Sequence, residues 1–311
     1  MIITRELQKS FGSLLAVDRV SFSVAPGEVL GFLGPNGAGK STTMKMIAGF
    51  LAPTSGEVSV CGHDVVRHPV EAKRCLGYLP EGAPSYGEMT TAAFLRFIAE
   101  VRGLDGERRR RRLGEVVERL ELGSVIQQPI ETLSKGFRRR VGLAQAILHD
   151  PPVLIMDEPT DGLDPNQKHE VRELIREMAT GKTIIISTHI LEEVHAVCSR
   201  AIIIAGGRIL ADDSPSALEA LSPRHNAVSL RLATPEASAG AREALAGLPG
   251  VAGIEDGADG ALVLLPQPGA ELLAEVSREV IERGWPVASL GLERGQLDDV
   301  FRRITMGAVS P

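Results

Sequence analysis

The chain has little cysteine and no long apolar run, and each deficit excludes a class of protein. Its 311 residues include three cysteines, Cys61, Cys75 and Cys198, in no metal-ligand spacing, which favours reduced thiols over a disulfide framework or a zinc site. No apolar stretch approaches the roughly 20 residues that a membrane-spanning helix needs. The first residues lack the basic and apolar regions of a signal peptide, so we expect none.

Positive charge is also scarce relative to negative charge. The 34 Lys and Arg residues are outnumbered by 40 Asp and Glu residues, which gives a net charge of −6, whereas general nucleic-acid binders are usually basic. The arginines at 108–112 are accompanied by Glu107, Glu115 and Glu118 in a helical pattern. This mixture predicts a solvated helix face rather than an RNA-binding patch, and we expect no nucleic-acid partner.

The composition and periodicity predict two globular domains. Hydrophobic residues make up 43% of the chain and charged residues 24%, which is typical of a protein with an apolar core. Over residues 1–220, short apolar strands alternate with helical patterns. This order predicts an α/β domain whose mostly parallel sheet is covered by helices. Residues about 88–150 show helical spacing and predict a helical insertion in that domain.

In the remaining part of the chain, the predicted strands and helices follow one another at shorter intervals. A stretch rich in Ser, Pro, Ala and Asp at 212–225 predicts a linker, so we place the domain boundary at 220. Strands and helices then follow in the order βαββαβ, with a last helix at 297–304. This order predicts a small α+β domain of ferredoxin-like or related topology over residues 221–311.

A phosphate-binding loop stands near the N-terminus. Residues 34–41 match the pattern G-x-x-x-x-G-K-[ST] after an apolar strand at 29–33 and before a helix predicted over 42–50. Backbone N–H groups and the helix N-terminus would surround phosphate oxygens, with Lys40 on the β- and γ-phosphates and Ser41 on Mg²⁺. The predicted ATP-binding residues of this segment are Gly34, Pro35, Asn36, Gly37, Ala38, Gly39, Lys40, Ser41 and Thr42.

A second apolar strand, at 153–156, ends in two carboxylates. Asp157 is predicted to hold Mg²⁺, and Glu158 to deprotonate the water that attacks the γ-phosphate. An Asp-Glu pair after a strand also occurs as a plain helix-capping turn. The phosphate loop in the same chain favours the catalytic interpretation.

The order of several short strings resembles that of the ATP-binding-cassette (ABC) ATPases. After the phosphate loop come Leu-Ser-Lys-Gly at 133–136, Asp-Glu-Pro-Thr at 157–160, Gly-Leu-Asp-Pro at 162–165 and Ser-Thr-His at 187–189. The resemblance covers residues about 1–220. It implies a P-loop NTPase cassette with a helical subdomain, which binds and hydrolyses ATP with Mg²⁺.

The resemblance also implies a dimer. In the family, two cassettes face each other head to tail, so the partner is a second copy of this chain or a second ATPase subunit. Ser134, Lys135 and Gly136 would then reach the γ-phosphate of the partner's ATP. The loop between the two sites would consist of Asp161, Gly162, Leu163 and Asp164.

Three further site residues are assigned by the resemblance. His189 would contact the γ-phosphate and the attacking water, and Glu81 stands where many members have a Gln that meets Mg²⁺ or the water. Phe11 is similar to the aromatic that stacks on adenine, with a core phenylalanine of an edge strand as the alternative. Lys135 and Asp161 replace small residues of the family pattern, and Phe137 replaces a usual Gln.

The arginines that follow the signature string, at 138–140, belong to the same predicted helix. Apolar Val141, Ala144 and Ile147 recur at helical spacing, so the arginines are predicted to lie on the solvent face of that helix. The alternative is a contact with the partner domain.

The likeness extends to the ATPases of ABC-2-type exporters. It is carried by Tyr-Leu-Pro-Glu at 78–81, the Leu-Ser-Lys-Gly variant and Leu-Asp-Asp-Val-Phe at 297–301. It implies a cytoplasmic subunit attached peripherally to the inner face of the cell membrane through a separate transmembrane permease, with Pro84, Tyr86 and Met89 as candidate contacts. The alternatives are a soluble ABC ATPase acting on nucleic acid or ribosomes, and a regulatory ATP-binding module with little turnover.

Overall fold

The computed structural model describes residues 1–82, 85–305 and 307. These form two compact units, Met1–Asp213 and Ser214–Pro311. The sequence pattern predicts a boundary at residue 220, whereas the two units divide seven residues earlier.

The first unit alternates strands and helices along most of its length. Its strands are β1 (Ile2–Phe11), β2 (Leu14–Val24), β3 (Val29–Leu33), β4 (Ser55–Val60), β5 (His63–Asp64), β6 (Leu76–Leu79), β7 (Val153–Asp157), β8 (Thr183–Thr188), β9 (Arg200–Ala205) and β10 (Arg208–Asp213). Its helices are α1 (Lys40–Ile47), α2 (Pro69–Arg74), α3 (Thr91–Val101), α4 (Gly106–Arg119), α5 (Lys135–Ile147), α6 (Pro165–Ala179) and α7 (Leu191–Val197), with short 3₁₀ turns at Gly123–Val125 and Ile130–Thr132.

These strands form two sheets. The larger has the order β10-β9-β3-β8-β7-β6, in which every pair is parallel except β9 with β10. The smaller is antiparallel, in the order β2-β1-β4-β5. The predicted α/β class with a mostly parallel sheet is therefore confirmed.

Alternate residues of the central strands pack into different cores. Val153 and Ile155 of β7 join a cluster with α1 and the antiparallel sheet. Leu154 and Met156 point to the opposite face and join a cluster with α3, α4, α5 and α6. Because successive side chains of a strand face opposite sides and both sides are covered, these strands are apolar without alternation.

The helices differ from the predicted bounds mainly at their ends. Helix α1 begins at Lys40 rather than at residue 42, directly after Gly39, whose φ of 104° is left-handed. It ends at Ile47 rather than at residue 50, and Gly49 follows with a φ of 69°. Left-handed backbone cannot continue a right-handed helix, so glycines set both ends.

The prediction of a solvent-facing arginine run on α5 is wrong for two of its three members. Arg138 is exposed, but Arg139 and Arg140 are buried. Arg140 forms ion pairs with Glu121 and Glu170, which come from the chain on either side of α5. Apolar periodicity could not reveal this burial, because the pairing groups lie about 20 and 30 residues away in the sequence.

The second unit contains one antiparallel sheet and its helices. Its elements are α8 (Pro215–Glu219), β11 (Val228–Leu232), α9 (Pro235–Ala246), β12 (Val251–Asp256), β13 (Leu262–Pro266), α10 (Leu273–Arg283), β14 (Val287–Leu292) and α11 (Leu297–Thr305). The strand order is β12-β13-β11-β14. This is the βαββαβ arrangement of ferredoxin-like modules, as the sequence pattern predicts.

Membrane-spanning character is lacking in the part of the chain that the structure describes. None of the helices there is both long enough and apolar enough to cross a bilayer.

Candidate functional site

An open cleft of about 410 Å³ lies beside the loop that follows β3. Its walls come from the end of β1, the phosphate loop and the residues that follow β6 and β7. The lining residues are Phe11, Leu14, Ala16, Pro35, Asn36, Gly37, Ala38, Gly39, Lys40, Ser41, Thr42, Glu81 and Glu158. The folded chain therefore brings most of the predicted ATP-site residues to one place.

The phosphate loop is held in shape by its own atoms and by backbone contacts with residues 16 and 204–207, including a hydrogen bond from Gly207 N to Ala38 O at 3.1 Å. Lys40 is buried, and its Nζ donates hydrogen bonds to the carbonyl oxygens of Gly34, at 2.6 Å, and Pro35, at 3.2 Å. At Gly39 a Cβ would lie 2.6 Å from the carbonyl oxygen of Ala16, so only glycine fits. The loop thus exposes its backbone to the cleft at the N-terminus of α1, which suits a phosphate group.

The charge of Lys40 is balanced by carboxylates from other parts of the chain. Burial lowers the pKa of the Lys40 ammonium, while Glu158, Asp157 and Glu81 act in the opposite direction. The positive charge at the loop is therefore matched by acidic groups on the facing wall.

The facing wall is formed by residues 157–161, which we call the carboxylate segment. Asp157 is 1% exposed, and its Oδ1 accepts a hydrogen bond from Ser187 Oγ of β8. Glu158 Oε2 lies 3.0 Å from Nδ1 of His189, a hydrogen-bonding distance. Burial raises the pKa of Glu158, and the contact with His189 opposes that rise. Glu158 and His189 are thus paired as a candidate base and its polar neighbour.

The residues at this wall fit a magnesium ion. Asp157 Oδ2 is buried and has no hydrogen-bond partner among the described residues. The Ser41 hydroxyl and the Glu81 carboxylate line the same cleft. Mg²⁺ is bound through oxygen atoms, with few protein ligands and several waters. The unpaired oxygen of Asp157, whose charge acts on Lys40 next to Ser41, together with the Ser41 hydroxyl and the Glu81 carboxylate, is the kind of donor set that Mg²⁺ takes.

The signature string lies at the start of α5. Ser134 is the N-cap of that helix, and its Oγ accepts a hydrogen bond from Phe137 N at 3.3 Å. Lys135 is exposed, and its Nζ lies 3.0 Å from Asp161 Oδ2. This ion pair lowers the pKa of Asp161. Gly136 is buried beneath the side chain of Gln167.

The predicted dimer-interface loop already makes contacts within its own chain. Leu163 packs into the apolar core, and Asp164 is the N-cap of α6, accepting a hydrogen bond from Gln167 N at 2.9 Å. Asp161 pairs with Lys135. Gly162 is exposed and has a φ of 72°. Asp161, Gly162 and Asp164 are exposed, and Leu163 is the buried member of the four.

Phe11 is 48% exposed at the end of β1 and lines the cleft. The alternative of a core phenylalanine is therefore wrong. The Nζ of Lys9 lies 5.2 Å from the centre of the Phe11 ring, so a cation covers part of its surface.

Comparison with known proteins assigns the chain to a family. The family model described as ABC transporter matches residues 17–161. The Nod factor export ATP-binding protein I of Paraburkholderia xenovorans is 40% identical over 214 residues, which cover 68% of this chain and 70% of that protein. The chain belongs to the ABC transporter ATP-binding family. Members of this family hydrolyse ATP.

Other ABC relatives and structures agree with this membership. The probable multidrug ABC transporter ATP-binding protein YbhF of Escherichia coli is 38% identical over 223 residues. That match covers 71% of this chain, and the chain spans only 38% of the length of YbhF. A structure of the ATP binding subunit of an ABC transporter superposes with a TM-score of 0.67 and 32% identity, covering 70% of this chain and 92% of the other.

An ABC cassette of lower identity shows the fold alone. The ATP-binding cassette MJ0796, described as dimeric and bound to ADP and Pi, has a TM-score of 0.64 at 23% identity and covers 69% of this chain.

Two residues that support the ABC motifs carry no signal in the sequence. The buried carboxylate of Glu193, on α7, accepts hydrogen bonds from Thr160 of the carboxylate segment and from Thr188, at 2.8 Å for the latter. It therefore joins the segment to the strand end that presents His189. Arg139 is the other, and it donates hydrogen bonds to backbone carbonyl oxygens of the carboxylate segment.

Proposed function

We propose that this chain binds and hydrolyses ATP as the ATP-binding subunit of an ABC-2-type export system. It acts as a homodimer, or paired with a second ATPase subunit, and drives a separate transmembrane permease from the cytoplasmic face of the membrane. One observation carries the proposal. A single cleft brings together the phosphate loop with Lys40 and the carboxylate of Glu158, which lies at hydrogen-bonding distance from His189, while the nearby Asp157 acts on Lys40 through space.

The chemistry follows from these groups. Lys40 and the loop N–H groups neutralise phosphate charge, while Glu158 takes a proton from the attacking water. The water oxygen bonds to the γ-phosphorus, the bond from that phosphorus to the β–γ bridging oxygen breaks, and ADP leaves with the electron pair. Because burial raises the pKa of Glu158, the base form and hence the hydrolysis rate increase as pH rises through that pKa.

Ser41, Asp157 and Glu81 would hold Mg²⁺, which stabilises charge on the β- and γ-phosphates. The unpaired buried oxygen of Asp157 supports this assignment.

The dimer is supported by what lies at the surface. Ser134 and Lys135 are exposed at the N-terminus of α5, where helix N–H groups attract an anion. In the proposed sandwich they reach the γ-phosphate of the partner's ATP, with Gly136 behind them. The loop 161–164 is proposed to meet the partner through its exposed members Asp161, Gly162 and Asp164. The fold neighbour described as dimeric is consistent with this arrangement.

The export role is supported by relatives and by an exposed aromatic group. The relatives are named for multidrug transport and Nod factor export. Tyr86 is 60% exposed, and its ring centre lies 5.7 Å from that of Phe97, which is also exposed. With half-buried Met89, these side chains offer an apolar contact for a permease. Pro84, the third predicted contact, lies outside the described residues.

The first test is Glu158→Gln. Removing the general base should lower steady-state hydrolysis by about 100-fold or more while ATP binding persists, so that an ATP-bound dimer accumulates on size-exclusion chromatography. Glu192→Gln is the matched control, because Glu192 is an exposed residue on α7 paired with Arg172. Unchanged hydrolysis in Glu158→Gln would rule out this residue as the base.

The second test addresses the partner. A membrane protein should co-purify with the wild-type chain from detergent-solubilised membranes, and less of it with Tyr86→Ser. Recovery of RNA or ribosomal proteins instead would favour the soluble alternative.

A further inference from the structure

The guanidinium of Arg139 is buried directly behind the carboxylate segment. The side chain is 5% exposed, and its four hydrogen bonds among the described residues go to backbone carbonyl oxygens. Nε donates to Pro159 at 3.2 Å and Nη1 to Pro80 at 3.3 Å, while Nη2 donates to both Asp157 and Glu158. One side chain of α5 therefore binds three consecutive residues of the carboxylate segment and the residue before Glu81.

This placement is costly for stability. Burial lowers the pKa of Arg139, and no carboxylate forms an ion pair with it among the residues described. The carboxylates near it, Asp161, Asp157, Glu158 and Glu81, act through space. A buried cation without a direct anionic partner does not add to stability as an apolar side chain would. Its neighbour Arg140 differs, because it has two glutamate partners.

The backbone that Arg139 binds is strained at the key residue. Glu158 has a φ of 52°, in the left-handed region that side chains other than glycine, asparagine and aspartate seldom adopt. Such a conformation persists only where surrounding contacts fix it. On one side Glu158 N donates to Ser187 O at 3.0 Å, and on the other the Glu158 carbonyl accepts from Arg139.

We propose that Arg139 is a positioning residue for ATP hydrolysis: it fixes the strained backbone at Glu158 and so aims that carboxylate into the cleft. This inference rests on the proposed function, in which Glu158 is the base. Through Pro80 the same guanidinium fixes the approach to Glu81. The helix whose first residues are proposed to serve the partner's ATP thereby also positions the base of its own site.

The position of Arg139 predicts which kinetic constant it controls. It does not line the cleft and makes no hydrogen bond with the phosphate loop. ATP binding should therefore be nearly independent of it, whereas the hydrolysis step should depend on it.

The experiment compares Arg139→Gln with Arg140→Gln in the full chain. Arg140 is the matched control, a buried arginine of the same helix whose partners lie away from the cleft. For Arg139→Gln we expect kcat to fall about 10- to 100-fold, the loss typical of a supporting partner of a reactive group, with the ATP dissociation constant changed by less than about threefold. Arg140→Gln should lower thermal stability but leave kcat of the folded protein within about twofold.

Arg139→Lys separates charge from geometry. Lysine keeps the cation but lacks the planar fork that reaches several carbonyls, so it should restore only part of the lost kcat. Full recovery would overturn the positioning role, as would wild-type kcat in Arg139→Gln. If Arg139→Gln does not fold, Arg139→Lys carries the test, and wild-type kcat in it would overturn the proposal.

A double-variant cycle shows whether Arg139 acts through Glu158. Single-turnover hydrolysis of bound ATP is measured for Glu158→Gln with and without Arg139→Gln. If Arg139 works by aiming Glu158, the second change should lower the residual rate by no more than about twofold. If Arg139→Gln lowered the rate of Glu158→Gln by the same factor as it lowers the wild-type rate, the inference would be overturned and the proposed function would stand. Wild-type turnover in Glu158→Gln alone would instead remove the proposed base.

Discussion

The two walls of the cleft are built in different ways. The phosphate loop is a continuous run of residues, closed by Lys40 onto carbonyls five and six positions earlier. The carboxylate segment is instead held by side chains that are distant in sequence, with Arg139 behind it, Lys135 outside it, and Ser187 and Glu193 across from it. The binding surface owes its shape mainly to contiguous residues, supported by backbone contacts from residues 16 and 204–207, whereas the wall that carries the chemistry is held by distant side chains.

We expect the two walls to control different steps, ATP binding and ATP hydrolysis. Variants of the phosphate loop should act on ATP affinity. Variants of the contacts that hold the carboxylate segment should act on turnover and stability, with effects that decrease from the buried contacts to the exposed ones.

The largest effect is expected for Lys40→Ala. Loss of the charged donor at the phosphates should weaken ATP binding by about 100-fold, measured by equilibrium titration with a fluorescent ATP analogue. Lys45→Ala is the control, because Lys45 is exposed on the same helix. If ATP affinity in Lys40→Ala stayed normal while hydrolysis fell, the division between the walls would not hold.

The next effect is expected for Glu193→Ala. Without this carboxylate, the hydroxyls of Thr160 and Thr188 lose their shared acceptor, which should cost about 1–3 kcal/mol of unfolding free energy. The looser segment should also lower kcat about tenfold with little change in ATP affinity. The neighbouring exposed Glu192→Ala is the control, with urea unfolding and steady-state kinetics as the measurements. An equal loss of unfolding free energy and kcat in both variants would show that Glu193 contributes no more than the exposed Glu192.

A pH effect is expected from His149, which follows α5. Its Nε2 bonds to Leu76 O at 3.2 Å, at the start of the strand that leads to Glu81. Burial and the nearby Arg102, Lys182 and Arg112 lower the pKa of His149 to about 4. The folded protein keeps the His149 imidazole neutral, whereas the unfolded chain protonates it below its pKa of about 6.5. The free energy of unfolding is therefore highest above that pH and decreases as pH falls towards 4.

Between pH 7 and pH 5 this linkage corresponds to a loss of about 2 kcal/mol in the free energy of unfolding. Urea titrations of the wild type and of His149→Gln at both pH values would measure it. The variant should show a smaller pH dependence, and the same dependence in both would assign the acid sensitivity to other groups.

The smallest effect is expected for the Lys135–Asp161 ion pair. Both side chains are more than half exposed, so water and salt screen their attraction. A double-variant cycle with Lys135→Ala and Asp161→Ala should give a coupling of about 0.2–1 kcal/mol in unfolding free energy, which declines as KCl is added. A coupling energy unchanged at high salt would contradict this expectation, because it would show that the exposed ion pair is as well shielded from solvent as the buried contacts.

Prediction from the sequence succeeded where neighbouring residues specify a structure together. The phosphate loop follows from glycines and Lys40 in fixed spacing, and the buried parallel strands follow from their uninterrupted apolar runs. Bounds failed by a few residues where a glycine ended a helix early, as at Gly49. The prediction for Arg139 and Arg140 failed because the apolar spacing of α5 says nothing about which polar groups arrive from residues 80, 121, 157–159 and 170.

By itself the sequence determined the cassette fold, the small ferredoxin-like unit, the phosphate loop and the identity of the carboxylates opposite it. These features depend on periodicity and on motifs that are contiguous in the chain. The tertiary structure alone decided which side chains hold Glu158 in its left-handed conformation and that Lys135 pairs with Asp161. It also decided that Asp157 keeps one buried oxygen free of hydrogen bonds among the described residues. Those facts require distant segments to meet, and a hydrogen bond to a backbone carbonyl can be made to any residue type, so it leaves no mark in the sequence.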